Sequence, residues 1–564
     1  MDTKKPTTFP WFELGLLLLI GVIYGQILWA SPLLEYDDAT LIGSLQNIHS
    51  LESWWAHYAD RRAFDLQPLR DLSYLFDRWL EGLLGFQTYH LTNVFLYFFT
   101  SVFLYRLCMS LSLHRTVARL ITIVFLVHPI HVEVVAWISG RKFLLSALLI
   151  VAATHCCIVF KKALTGGHLP RQWLVPLIVF FYVGSLLSQP VTLFFPLWVI
   201  LYFYPHRHRV SVQSLIGCLF FLCLIFTALN LSYYSESYVN QRGATKWLEP
   251  SLYSGLAAML SAGRAFFNLI IPFRLSILYA SDSPWNDVGL GLFIPLLLWV
   301  GFSLRSHQSR NTRTLFQRPE TLWIVWAMFL YIPVSNLLPT NVFLADRYLY
   351  MPSIGLLVFL GVLVSRMGQY GGGIAKGCAA TLIVTFALQS SIRAEQWTSD
   401  RRLILAARDV EPYWQTYLWA GHLAFKEGNF PLAQSEFALV EEEYPEAPLL
   451  SRRLTALALV RHPSDIDEEL LRIHRLRPQS PFPLWELAHR HSGDKKFQLL
   501  LHAFTATEPM LSTESERLRI DLVTSCKEQN CSFGQILATR QSRQELRKQL
   551  APFITKNSTQ APLP

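Results

Sequence analysis

Apolar runs long enough to cross a bilayer recur along this chain, separated by short polar gaps. They predict spans near Trp11–Ala30, Tyr89–Leu111, Val117–Val127, Phe143–Phe160, Trp173–Leu187 and Val191–Tyr204. The series continues through Val212–Leu231, Val288–Leu304, Leu322–Leu338, Ser353–Val364 and Ala375–Ser391, about 11 spans in all. Basic residues fill alternate gaps: Lys4 and Lys5, Arg115 and Arg119, Lys161 and Lys162, Arg207 and Arg209, Arg305 to Arg318, then Arg366 and Lys376. Positive residues mark cytoplasmic loops, so these gaps are expected inside. The alternation holds only if apolar Ser251–Ile271 does not cross, which predicts a re-entrant or outer-interface segment. The same parity puts Leu33–Thr88, Ser188–Pro190, Ser232–Trp247, Thr340–Pro352 and everything after about Trp397 outside. The first apolar run has no small-residue cleavage site behind it and is expected to stay as an anchor.

Within the first outer loop, residues 31–88, the apolar positions change period. Leu41, Ile42, Leu45, Ile48, Leu51, Trp54, Trp55 and Tyr58 recur at helical spacing, as do Leu72, Leu75, Phe76, Trp79, Leu80 and Leu83. Such stripes predict helices lying in the interface with tryptophans at headgroup depth, and Arg61, Arg62 and Arg70 between them suit lipid phosphate. Beyond residue 395 the pattern becomes that of a soluble helical array. Pro412, Pro445, Pro478 and Pro509 recur at about 33, 33 and 31 residues, near the 34-residue period of tetratricopeptide helix pairs. The expected division is a helical membrane domain over 1–395, repeats over 396–555 that offer a groove to a protein partner, and a disordered tail over 556–564. The fold class is all-α.

Composition agrees. The chain has 564 residues, 52% hydrophobic, 14% aromatic and only 16% charged, with a mean hydropathy of +0.29. A soluble domain carries about a quarter charged residues. The formal charge of +9 sits in loops between apolar runs without any nucleic-acid-binding motif, so no nucleic-acid partner is expected. Six cysteines lie in or beside apolar segments and read as packing residues. Cys526 and Cys531 are close enough to pair if the tail is extracytoplasmic.

Three outer segments carry unusual polar chemistry. Asp37 and Asp38 follow the first span directly; they suit either a helix N-cap or a general base at a cavity mouth. HPIHVEVVAWISGRK, from His128 to Lys142, interrupts two apolar runs with His128, His131, Glu133, Arg141 and Lys142. It reads as an outer hairpin with an internal ion pair, or as a functional rim, because ionisable groups at a membrane boundary are usually paired and functional. A metal site of His128, His131 and Glu133 matches no zinc spacing. In NVFLADRYLYMPSIG, Arg347, Tyr348 and Tyr350 are placed to hold a polar headgroup, the planar guanidinium suiting phosphate.

Taken with YDDATLI, SQPVTLFFPLWVILY and the helix-pair repeats, these motifs resemble the transmembrane-and-tetratricopeptide-repeat protein O-mannosyltransferases and their bacterial relatives, of the GT-C class. The resemblance covers most of the membrane part in the same order. It implies a polyprenyl-phosphate sugar donor, transfer to a protein Ser or Thr hydroxyl on the extracytoplasmic face by inverting displacement, and an essential acid at Asp37 or Asp38. It also implies Arg141 and Arg347 at the donor phosphate and Glu133 supporting the acceptor or base; Lys142 and Arg70 are further cations suited to the same phosphate. His128, His131, Tyr348 and Tyr350 would face acceptor or sugar, with mannose one candidate sugar. The family often has Lys where Gln189 stands. No cofactor is required by this chemistry, although a divalent cation would suit Asp37, Asp38 and Glu133 if they met. The implied setting is a bacterial inner membrane with periplasmic repeats, or the endoplasmic reticulum membrane in a eukaryote. Transfer to a surface glycan or lipid, a lipid-linked-sugar carrier and a repeat scaffold are the competing readings; a carrier would show halves related by symmetry.

Overall fold

In the computed structural model of the chain the described residues are 11–33, 36–60, 65–166, 173–242, 252–294, 318–337, 342–367, 373–445, 447, 449–461, 465–506 and 512–528. Most of the expected Val288–Leu304 span, the basic residues Lys4, Lys5, Arg61, Arg62 and Arg305 to Arg313, Pro509, Cys531 and the tail lie outside them. All regular structure among the described residues is helical. The chain divides into two compact units, Met1–Glu411 and Pro412–Pro564. The membrane unit therefore continues past residue 395 and includes the helix Asp400–Val410.

Six described helices are long and apolar enough to cross a membrane: Trp11–Trp29, Tyr89–Ser110, Ile138–Thr165, Val210–Tyr233, Asp346–Arg366 and Lys376–Gln396. Arg115–Val127 and Pro129–Ala136 would make a seventh, bent by 53°. The bend falls where Pro129 has no N–H to give to the helical ladder. Leu174–Ser188, Pro190–His206, Gly255–Ile270 and Glu320–Val334 are apolar but shorter. The chain is an integral membrane protein. Leu18, Val22, Phe180, Phe221 and Leu224 stay exposed on its helices, as lipid-facing positions do.

Contacts between helix ends follow the predicted alternation. At one end Arg106 pairs with Glu13 at 3.3 Å, Arg119 lies over Phe12, Lys162 reaches Ser112 and Arg366 pairs with Glu320 at 2.6 Å. These are the ends expected to share the basic face. The segment expected not to cross forms the helix Leu252–Ile270. Ser261 donates to the Ser335 carbonyl and the Leu269 carbonyl bonds His128 Nε2 at 3.0 Å. Ser335 and His128 both lie at the far ends of helices that start on the basic face, so this helix runs across those ends.

The described residues of the first outer loop form the helices Asp38–Ser44, Leu51–Ala59 and Pro68–Leu84. Ser50 and Ser53 cap the second reciprocally. The third is inverted relative to a soluble helix: Arg70, Asp71, Tyr74 and Asp77 are buried, whereas Phe76, Trp79 and Leu83 are exposed. That arrangement suits a helix embedded in the interface with its apolar face toward lipid.

The second unit stacks antiparallel helix pairs, Trp414–Lys426 with Phe430–Glu443, Leu450–Arg461 with Ile466–Leu476, and Phe482–His489 with Gly493–Thr505, followed by Ser512–Glu528. Pro412, Pro445 and Pro478 sit in the connections, as the spacing predicts. Within the first pair Gly421 allows close approach, since a Cβ there would stand 2.5 Å from the Phe437 ring. Cys526 is disulfide-bonded.

Candidate functional site

The HPIHVEVVAWISGRK segment is not the exposed rim its polarity suggests. Every residue from Phe125 to Arg141 is buried, in short turns Pro129–His131, Val132–Ala136 and Ile138–Gly140. Gly140 makes the last turn possible, because a Cβ would meet the Val134 carbonyl oxygen at 2.5 Å. A buried polar segment must find partners within the protein, and this one does. His128 and His131 are consumed in packing: His131 bonds the Phe125 carbonyl at 2.8 Å, Tyr97 and Ser353. Tyr350 stacks edge-on against His131, 5.1 Å between centroids, inside the bundle. The structure does not bring these three to the acidic loop. Nor, among the described residues, does any group of three His, Cys, Asp or Glu side chains stand ready to hold a metal.

What the segment does is organise the first loop and the third motif around itself. Asp38 is fully buried; its two oxygens accept from the backbone N–H of Leu33 at 3.2 Å and of Ser139 at 3.1 Å. Tyr74 donates to the Ile138 carbonyl at 2.8 Å, holding the same turn from the interfacial helix. Arg78 donates to the carbonyls of Leu45, Gln46 and Ile48, closing the end of the helix that starts at Asp38. Burial lifts the Asp38 carboxyl from its ordinary 3.8 to about 7, against the two N–H bonds that favour ionisation. Asp37 behaves differently. It is exposed, sits at φ 52°, and its side chain makes no capping bond although it occupies the N-cap position. The adjacent carboxylates part: one pins the loop and the other is presented.

Glu133 is fully buried and accepts from Arg347 twice, from the backbone N–H at 3.1 Å and from the guanidinium at 2.5 Å. Arg347 also donates to the Tyr36 hydroxyl at 3.3 Å. Its guanidinium lies 5.2 Å from the centroid of the Trp137 ring, and the Lys142 ammonium lies 5.6 Å from the same ring. Tyr36 packs on Trp137 and Trp397 at 5.0 and 5.8 Å. Lys142 feels the charges of Asp65, Arg70, Arg347 and Asp37 but makes no hydrogen bond or ion pair with any described residue. Two cations from segments 205 residues apart (347 − 142) thus share one indole, and the Asp37 charge acts on Lys142. Tyr348 stays alongside, its ring 5.1 Å from the Arg347 guanidinium.

The other two arginines are committed inward. Arg141 pairs with Asp77 and donates to Asn93 at 2.8 Å, the Ser73 carbonyl and the Tyr89 carbonyl, with Tyr74 stacked 4.4 Å away. Arg70 pairs with Asp65 and Asp71 at 2.7 Å each and donates to Gln67, which in turn donates to Gln189. Sequence reasoning passed over Tyr36, Asp65, Asp71, Asp77, Trp137 and Trp397. Asp346, next to Arg347 in sequence, is held instead by Arg393 at 2.7 Å and Tyr279. A signal existed for one group only: Arg70, Tyr74 and Asp77 recur at i, i+4, i+7, a polar stripe opposite the apolar one.

Fold and site together define a polytopic helical membrane protein that gathers acids and cations at one end of its bundle and carries a helical repeat unit. No protein-family model matches the chain. It is similar to Protein O-mannosyl-transferase Tmtc3 of Drosophila melanogaster, 24% identical over 452 residues that cover 64% of this chain and 47% of that one. It is similar to Protein O-mannosyl-transferase TMTC3 of Homo sapiens, 22% identical over 470 residues, 76% of this chain and 50% of the other. Protein O-mannosyl-transferase TMTC4 of Mus musculus is 24% identical over 404 residues, 61% and 53%. The chain spans about half the length of the curated relatives it matches. Its resemblance to this group of O-mannosyltransferases, drawn from the motifs, is borne out.

Proposed function

We propose that this protein is a membrane glycosyltransferase that moves a sugar from a polyprenyl-phosphate donor to a protein hydroxyl on the extracytoplasmic face. The observation that carries the reading is the shared seat of Lys142 and Arg347 on Trp137, with Lys142 within reach of the charge of the exposed Asp37. Lys142 has no counter-ion among the described residues, and Arg347 spends part of its guanidinium on Glu133 and Tyr36. A phosphate oxygen that gains negative charge as the sugar leaves is stabilised by such preorganised donors. Asp37 takes the proton of the attacking hydroxyl, a contribution of about 10²–10⁴-fold in rate. Asp38 positions it by tying the loop to Ser139, and Glu133 positions Arg347. One displacement from the opposite face inverts the anomeric centre.

The relatives' names make a protein acceptor and mannose the first choices. The repeat unit supplies the surface that recruits the acceptor. A disulfide at Cys526 favours an oxidising compartment, such as a bacterial periplasm or the lumen of the endoplasmic reticulum, for that unit. Donor binding measured with a labelled polyprenyl-phosphate sugar on the purified full chain tests the reading. Lys142→Gln and Arg347→Gln each weaken it about tenfold or more if the shared seat holds phosphate. Binding unchanged in both removes the assignment.

A further inference from the structure

A groove of about 590 Å³ opens between the helices Tyr89–Ser110 and Arg141–Thr165, lined by Val102, Phe103, Arg106, Met109, Ser110 and His155. It is not the site described above. The carbonyl of Tyr89 meets Arg141 near the acidic loop, and Arg106 lies 17 residues further along that helix (106 − 89), about 25 Å away. The groove is therefore at the basic end of the bundle.

Its polar groups are only partly used. The Arg106 side chain is 62% exposed and, among the described residues, pairs with Glu13 alone, at 3.3 Å. Ser110 donates to the Arg106 carbonyl at 2.9 Å, so in its 3.1 Å contact with His155 the ring Nδ1–H is the donor. His155 Nε2 then makes no hydrogen bond to any described residue and becomes a donor when the ring is protonated. Two turns further toward the same end, Lys162 reaches Ser112 at 3.3 Å and bonds no other described residue. Val102, Phe103 and Met109 give the groove an apolar wall running in the direction of the spans. Cations at the membrane boundary over an apolar track between two spans complement an acidic lipid: headgroup phosphate above, acyl chain below.

We propose that this groove is a binding site for one anionic phospholipid of the leaflet at the basic end, its phosphate on Arg106 and an acyl chain along Val102 and Phe103. The site is independent of the donor assignment.

Native mass spectrometry of the full chain, released from detergent with phosphatidylglycerol or phosphatidylcholine of identical chains, tests it. One phosphatidylglycerol is retained in preference to phosphatidylcholine, and Arg106→Gln weakens retention about fivefold, the factor for one lost surface cation. Arg366→Gln, a basic residue of the same end paired with Glu320, leaves retention unchanged. Equal retention of the two lipids by the unmodified protein overturns the proposal without reference to any variant. So does a polyprenyl phosphate that displaces phosphatidylglycerol at equal concentration, which would make the groove a carrier-lipid site instead.

Discussion

Replacing Asp38 by Asn separates scaffold from chemistry. The carboxyl is fully buried, and burial raises its pKa from 3.8 to about 7. A group whose value is raised on folding contributes stability that is fully present below its unfolded value, about pH 4. That contribution is lost as pH climbs through about 7. The interval is worth about 4 kcal/mol at 1.36 kcal/mol per pH unit, an upper size for a group that keeps two N–H bonds. The amide that replaces the carboxyl cannot ionise, so the variant loses this dependence. It also turns one amide N–H₂ toward a backbone N–H, of Leu33 or Ser139, leaving a buried donor unsatisfied at a cost of about 1–3 kcal/mol. Thermal unfolding in detergent followed at pH 5 to 8 reads both effects. The unmodified protein loses melting temperature across that range. Asp38→Asn starts lower and stays flat. Parallel curves for the two proteins would refute the buried-pin role of Asp38 and, with it, the division of labour between the two aspartates.

Other perturbations follow from the same geometry. Glu133→Gln leaves Arg347 without its counter-ion and costs about 3–5 kcal/mol; the double variant with Arg347→Gln recovers part of this in a thermal double-mutant cycle. Arg141→Gln orphans the fully buried Asp77 and destabilises by a similar amount, about 3–5 kcal/mol, and its signature is lower folded yield and melting temperature, with donor affinity per folded molecule unchanged. Gly140→Ala forces the Ile138–Gly140 turn away from Val134, moving Ser139 off Asp38; limited proteolysis of the first outer loop is expected to quicken. Arg78→Ala frees three carbonyls at the end of the Asp38 helix and lowers turnover more than donor affinity, a split that steady-state kinetics resolves.

Much of this arrangement was legible in the residues before any coordinates. Apolar length announced the spans, and the basic gaps announced which helix ends meet, as Arg106 with Glu13 and Arg366 with Glu320 show. The motifs around Asp37, Glu133, Lys142 and Arg347 led to the cluster because ionisable residues are rare in such a chain. What stayed hidden is partner choice. Whether a buried arginine is free or neutralised depends on helices packed against it, and nothing near Arg141 in sequence points to Asp77, or near Asp346 to Arg393. Likewise periodicity could not tell that Asp38 turns inward and Asp37 outward, since that rests on one backbone angle at Asp37 and on the N–H groups of Leu33 and of distant Ser139. The histidines of HPIHVEV suited acceptor or sugar by type; in the fold His131 meets the Phe125 carbonyl, Tyr97 and Ser353, and His128 the Leu269 carbonyl, partners that only packing reveals.

The account turns on Asp37 accepting a proton while Lys142 and Arg347 hold the departing phosphate. Its most direct test is transfer of labelled mannose from polyprenyl-phosphate mannose to a Ser/Thr peptide by the full chain reconstituted in vesicles, compared with Asp37→Asn. The account predicts label on the peptide hydroxyl with the unmodified protein. With Asp37→Asn it predicts a loss of about 10²–10⁴-fold at unchanged donor binding. Equal transfer by the two proteins would contradict it.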